Sequence, residues 1–98
     1  MSKTLLIIAH TPSPNTAALA KAGLDACLGY DGYDHGAVKT RCVSPFDLTS
    51  PDLLAADAVI IGTTENIGYM AGATKDMFDR CYNDWLDHSD AKPVAIYI

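Results

Sequence analysis

The sequence predicts a doubly wound parallel α/β sheet in the order β-α-β-α-β-α-β, as a single domain spanning residues 1–98. Two observations predict it. The uninterrupted apolar runs Leu5–Ala9, Ala58–Gly62 and Val94–Ile98 have the length of strands, and the first two read as strands covered on both faces. Between these runs lie segments with helical spacing of apolar residues, and no repeat, low-complexity tract or interdomain linker interrupts the order.

The first strand, Thr4 to Ala9, is apolar throughout, as a central parallel strand must be. His10 to Thr16 is the turn out of it. The helix predicted from Thr16 to Leu28 carries Ala20, Leu24, Cys27 and Leu28 on one stripe, with Leu19 and Gly23 beside it, and ends at Gly29-Tyr30-Asp31-Gly32. From Ala37 to Val43, Val38, Thr40 and Cys42 alternate with Lys39 and Arg41, which predicts a half-exposed edge strand. Ser44 to Asp47 is a loop. Ser50-Pro51-Asp52 then supplies a cap, a proline at the first helical position and a carboxylate in the first turn, opening a short helix through Ala55. After the strand Ala58–Gly62 comes a loop from Thr63 to Gly72. Met70, Ala73, Met77, Cys81 and Trp85 follow at helical spacing, flanked by Phe78 and Tyr82, a stripe that reads as core rather than as a cofactor surface. Val94 to Ile98 is the fourth strand.

Composition removes several classes of function. Twelve acidic residues against seven basic ones give a net charge of −5, and the basic residues are scattered, which argues against a nucleic-acid surface. The longest apolar runs are far too short to span a bilayer, and Met1-Ser2-Lys3 shows no signal-peptide pattern, so the expected location is the cytoplasm. Cys27, Cys42 and Cys81 are odd in number and widely spaced, which suggests neither a disulfide framework nor a metal site. Each reads as a small buried apolar residue. No G-x-G-x-x-G follows the first strand and no G-K-[ST] occurs, against dinucleotide and P-loop folds. Asp87, His88 and Ser89 make no triad by adjacency, because triads are assembled in space.

The chemistry concentrates in two loops. His10-Thr11-Pro12-Ser13-Pro14-Asn15-Thr16 gathers hydroxyls at a helix N-terminus, where an anion is stabilised. In an open α/β sheet, ligands bind at the carboxyl ends of the strands flanking the switch point, so residues 10–16 and 62–72 are expected to face one crevice. In the first loop Ser13, Asn15 and Thr16 match the phosphate loop of flavodoxin-like FMN reductases, a Ser followed shortly by Asn or Ser and then Thr, with Thr11 as a further hydroxyl. In the second, the stretch from Gly62 to Arg80 resembles that family's flavin-ring loop and following helix, whose pattern is a Gly-Thr-Pro start, an aromatic or glycine turn, a small residue opening the helix, and Lys-x-Phe-x-Asp-Arg. Thr64 departs from the pattern by standing where the family has proline.

The resemblance implies a flavodoxin-like sheet with strand order 2-1-3-4 and FMN as cofactor. Its phosphate would be held by His10, Thr11, Ser13, Asn15 and Thr16, and its ring by Thr63, Thr64, Glu65, Asn66, Ile67, Gly68, Tyr69 and Met70. NAD(P)H is the implied electron donor and a quinone an example of an acceptor, with the flavin and no side chain carrying the redox step. Members of that family continue past the fourth strand with a further flavin-contacting loop, a helix, a fifth strand and a last helix. The 98 residues are therefore expected to be a portion truncated after strand four, whose apolar edge suits a homodimer or a complementing chain. The alternative is a flavin-free half-domain serving as an assembly module. Plainer roles stand beside several of these residues: Ser13 and Thr16 as helix caps, His10 bonded to nearby backbone, Glu65 facing water, Asp79 and Arg80 as a helix-surface or inter-subunit pair, and His35 and His88 in solvated turns.

Overall fold

The computed structural model of the chain describes residues 3–29 and 37–98. Four strands, β1 (Lys3–Ala9), β2 (Val38–Val43), β3 (Ala58–Gly62) and β6 (Val94–Tyr97), form one parallel sheet in the order β2-β1-β3-β6. The expected order is therefore observed. A two-stranded antiparallel hairpin, β4 (Glu65–Asn66) and β5 (Tyr69–Met70), lies within the segment predicted as a loop. Three helices, α1 (Pro14–Gly29), α2 (Ser50–Ala55) and α3 (Gly72–Trp85), complete the described elements. The predicted turn at Tyr30–Gly32 and His35 lie outside the described residues.

The register explains the two cores. Ile7 of β1 pairs with Cys42 and with Ile60, while Ile8 pairs with Val43 and Ile61, so alternate residues of β1 serve opposite faces. On one face Leu6, Ile8, Val59 and Ile61 pack with Leu48, Leu53, Met77, Cys81 and Trp85. On the other, Ile7 and Ala9 meet Ala20 of α1, with Leu24, Cys27 and Ile60 packed around them. The helix after β1 and the helix after β3 thus leave to opposite sides, which places a switch point between those strands.

Several local expectations are corrected. α1 begins at Pro14, two residues earlier than predicted, because a proline at the first helical position has no N–H to lose. Its stripe is narrower, since Leu19 and Leu28 are exposed. The cap of α2 is Thr49, whose N–H and hydroxyl both donate to the Asp52 carboxylate, at 3.0 and 2.9 Å, and Ser50 is already helical. Only Cys81 is buried, Cys27 is half-buried and Cys42 is exposed on the edge strand. Asp79 and Arg80 do not pair with each other, because neighbouring side chains on a helix diverge. Instead Lys75 pairs with Asp79 and Arg80 with Asp76, and the Arg80 guanidinium also donates to the carbonyls of Leu48 (2.9 Å) and Pro45, tying α3 to the loop after β2. No described helix is long and apolar enough to cross a membrane.

Candidate functional site

The two loops singled out by the sequence start side by side. β1 and β3 are adjacent, and their ladder runs one residue past the strand, with the His10 N–H donating to the Gly62 carbonyl at 2.9 Å. One strand further on, the Thr63 N–H donates to the Tyr97 carbonyl at 3.2 Å. Three strand ends are thereby held in one row beneath the loops.

The first loop is an N-terminal box built from hydroxyls. The Ser13 N–H donates to Thr16 Oγ1 at 3.0 Å, the Thr16 N–H donates to Ser13 Oγ at 3.3 Å, and the Thr16 hydroxyl donates to the Ser13 carbonyl at 2.9 Å. Threonine does here what glutamate does in the usual box, returning a side-chain acceptor to the cap residue. Pro12 and Pro14 have no N–H. The backbone donors of Thr11 and Asn15 remain, exposed and with no hydrogen bond among the described residues. His10 makes no described side-chain hydrogen bond; its ring packs edge-to-face on Phe46 with centroids 5.9 Å apart. Phe46, exposed on the loop after β2, is a wall of the site that the sequence reading missed, because nothing local links position 46 to position 10.

The second loop is stiffened by its own polar groups. Thr63 Oγ1 accepts from the Ala71 N–H (3.2 Å) and the Thr74 hydroxyl (3.0 Å), and donates to the Thr64 carbonyl (3.0 Å), so this side chain closes the base of the hairpin. At the tip, the Glu65 carboxylate accepts the Gly68 N–H at 2.8 Å. Ile67 and Gly68 have φ of 53° and 74°. Two successive positive φ values between paired strands make the tight turn that matches strand twist, for which glycine is suited and a β-branched residue is not. Ile67 is held in that conformation while its side chain lies fully in solvent.

Beneath the hairpin lies a mainly apolar groove of about 330 Å³. Of the predicted residues, Thr63, Thr64, Glu65, Gly68, Tyr69 and Met70 line it, opposite Phe78 of α3 and Ile96 and Ile98 at the end of the sheet. Asn66 and Ile67 stand exposed on the hairpin, outside that lining, and none of His10, Thr11, Ser13, Asn15 or Thr16 contributes to it. The predicted set therefore divides into a hydroxyl-rich turn and an apolar groove, linked through the His10–Gly62 bond. Among the described residues no group of three or more His, Cys, Asp or Glu could hold a metal ion. No protein-family model matches the sequence, and no curated protein matches it.

Proposed function

We propose that the chain is a flavodoxin-like, FMN-binding oxidoreductase module in which bound flavin relays electrons from NAD(P)H to an acceptor such as a quinone. The observation that carries this reading is the His10–Gly62 bond, which sets the origins of the two loops against each other at the switch point of a parallel sheet. Ligands of open α/β sheets bind at that place.

The residues fit the group. The N–H groups of Thr11 and Asn15, which have no hydrogen bond among the described residues, the Thr11 hydroxyl and the positive end of α1 would hold the phosphate. Ser13 and Thr16 would keep that turn in shape through their mutual bonds. Tyr69 and Met70 would cover the isoalloxazine and exclude water, and the groove they line reaches the lower end of the range for small-molecule sites, about 300–1,000 Å³. When bound, FMN supplies hydride acceptance and one-electron chemistry, leaving the chain to bind, orient and shield. Titrating FMN with the protein while following flavin fluorescence tests the reading. Saturable quenching is expected, and unchanged fluorescence at excess protein refutes it.

One observation favours a second reading, a flavin-free module that buries its open edge against another chain or a second copy. Val94, Ile96 and Ile98 on and beside β6 are 56, 65 and 79% exposed, too much apolar surface on one edge strand to be ordinary. Solution mass decides it. A strict monomer that folds cooperatively excludes the assembly module.

A further inference from the structure

The two edges of the parallel sheet are built differently. β2 carries Lys39 and Arg41, charges of the kind that keep a free strand from pairing with another chain. From Val94 to Ile98 the β6 edge has neither a charge nor a proline.

The bonds to β3 fix how β6 turns its backbone. The Val59 N–H donates to the Pro93 carbonyl at 3.0 Å and the Thr63 N–H to the Tyr97 carbonyl at 3.2 Å, so the odd-numbered residues face β3. Successive residues of a strand turn their N–H and C=O to alternate sides, so those of Val94 and Ile96 point outward, where no described strand lies. Side chains alternate as well. Ile96 and Ile98 line the hairpin groove and Val94 the cavity adjoining it at Ile61 and Phe78, so all three stand on the face that α3 covers, each more than half exposed. On the other face Ala95 is small, and the Tyr97 ring leans inward over Gly62, which keeps bulk away from the edge.

We infer that β6 pairs with β6 of a second copy, antiparallel about a two-fold axis at Ile96, making one eight-stranded sheet from two of four strands. In this register Ile96 meets its own twin, the two exchanging both backbone bonds, and Val94 lies opposite Ile98 of the partner subunit. The charge pattern selects this occupant. A charged partner segment finds no counter-charge on β6, whereas an uncharged strand sets no like charges against itself. The two-fold pairing also joins the exposed apolar side chains of both copies in one row and sets Ala95 against Tyr97 of the partner subunit, small against large. Five residues a side make an interface smaller than the roughly 1,200–2,000 Å² of stable complexes, so the expected affinity is micromolar rather than nanomolar. The pair rests on the open-edge reading above, commits it to one partner and one register, and needs no flavin.

Sedimentation equilibrium of the flavin-free protein is expected to show a monomer–dimer equilibrium. Ile96→Lys and Ile96→Glu each set like charges face to face and remove apolar contact, and each is expected to weaken the dimer at least about ten-fold. Mixed in equal amounts, the two variants are expected to recover it, because position 96 meets only itself. Ile96 is 65% exposed in the single chain, so both variants are expected to fold, which circular dichroism checks. Amide exchange on the intact chain reads the same pairing without a substitution: the Val94 and Ile96 N–H groups should gain protection as concentration rises. A monomer at every concentration overturns the pairing together with the open-edge reading. A dimer that persists in both folded variants, a mixture that stays monomeric, or exchange at Val94 and Ile96 that is unchanged on dimerisation overturns the pairing alone.

Discussion

The Tyr97 ring lies across Gly62 so closely that a methyl group at position 62 would fall 2.1 Å from Cζ and 2.2 Å from the phenol oxygen. The two residues are register partners at the carboxyl ends of β6 and β3, and only a residue without a side chain lets the ring rest there. Burial of the ring pushes the Tyr97 phenol above its ordinary pKa, with a smaller contribution from Cys42. Tyr97 is thus part of the floor beneath the loops.

Gly62→Ala is expected to drive this ring off the sheet. The clash is with the far end of a side chain that can swing away, so the cost falls at the low end of the overpacking range, about 1 kcal/mol. In a Tyr97→Ala background the same substitution should cost almost nothing. Urea unfolding of the four proteins in that double-mutant cycle reads the coupling directly, and additive effects would disprove the contact.

Ile67 gives a prediction of opposite sign. Its positive φ costs about 1–2 kcal/mol for a residue with a side chain, and no burial offsets it. Ile67→Asn, a residue that tolerates this conformation, should raise stability by about 1 kcal/mol. If the hairpin covers a flavin, the same protein should also lose FMN affinity, which separates a strained functional turn from a merely poor one.

Asp52 makes stability depend on acid pH. The Thr49 N–H first, then the Thr49 hydroxyl, and Arg41 at 3.3 Å hold its carboxyl below the ordinary value of 3.8. The folded state favours the carboxylate, so the stabilisation is complete above that value and is lost as pH falls through the lowered one. Asp52→Ala should cost about 1 kcal/mol at neutral pH, a typical capping contribution. The gap between the two proteins should narrow steadily below about pH 4 and stay constant above about pH 5.

Arg80 joins α3 to the loop that carries Phe46. Arg80→Met keeps the length of the side chain but leaves the carbonyls of Leu48 and Pro45 without this donor. A loss of about 1.5–3 kcal/mol is expected from bonds to a charged group, measured by thermal or urea unfolding. Asp76→Asn, which disturbs only the exposed i,i+4 pair, should cost a few tenths of a kcal/mol.

What could be read from the sequence follows the range of the interactions. The run Leu5–Ala9 declares a central strand because burial on both faces leaves no polar position, and Ser13 and Thr16 announce a cap because that bond is local. The hairpin at Glu65–Met70 was hidden, since strands of two residues have no periodicity to detect. The exposure of Leu28 depends on how α1 lies on the sheet, and the His10–Phe46 contact on how two loops meet in space. No spacing rule reports either.

The central claim is that the hydroxyl turn and the hairpin groove serve one flavin. Calorimetric titration with FMN and, separately, with riboflavin tests it most directly, because the two ligands differ only in the phosphate. The account predicts that FMN binds at least about ten-fold more tightly, and that Thr11→Ala narrows this preference. Equal affinities, or no binding of either ligand, would contradict it.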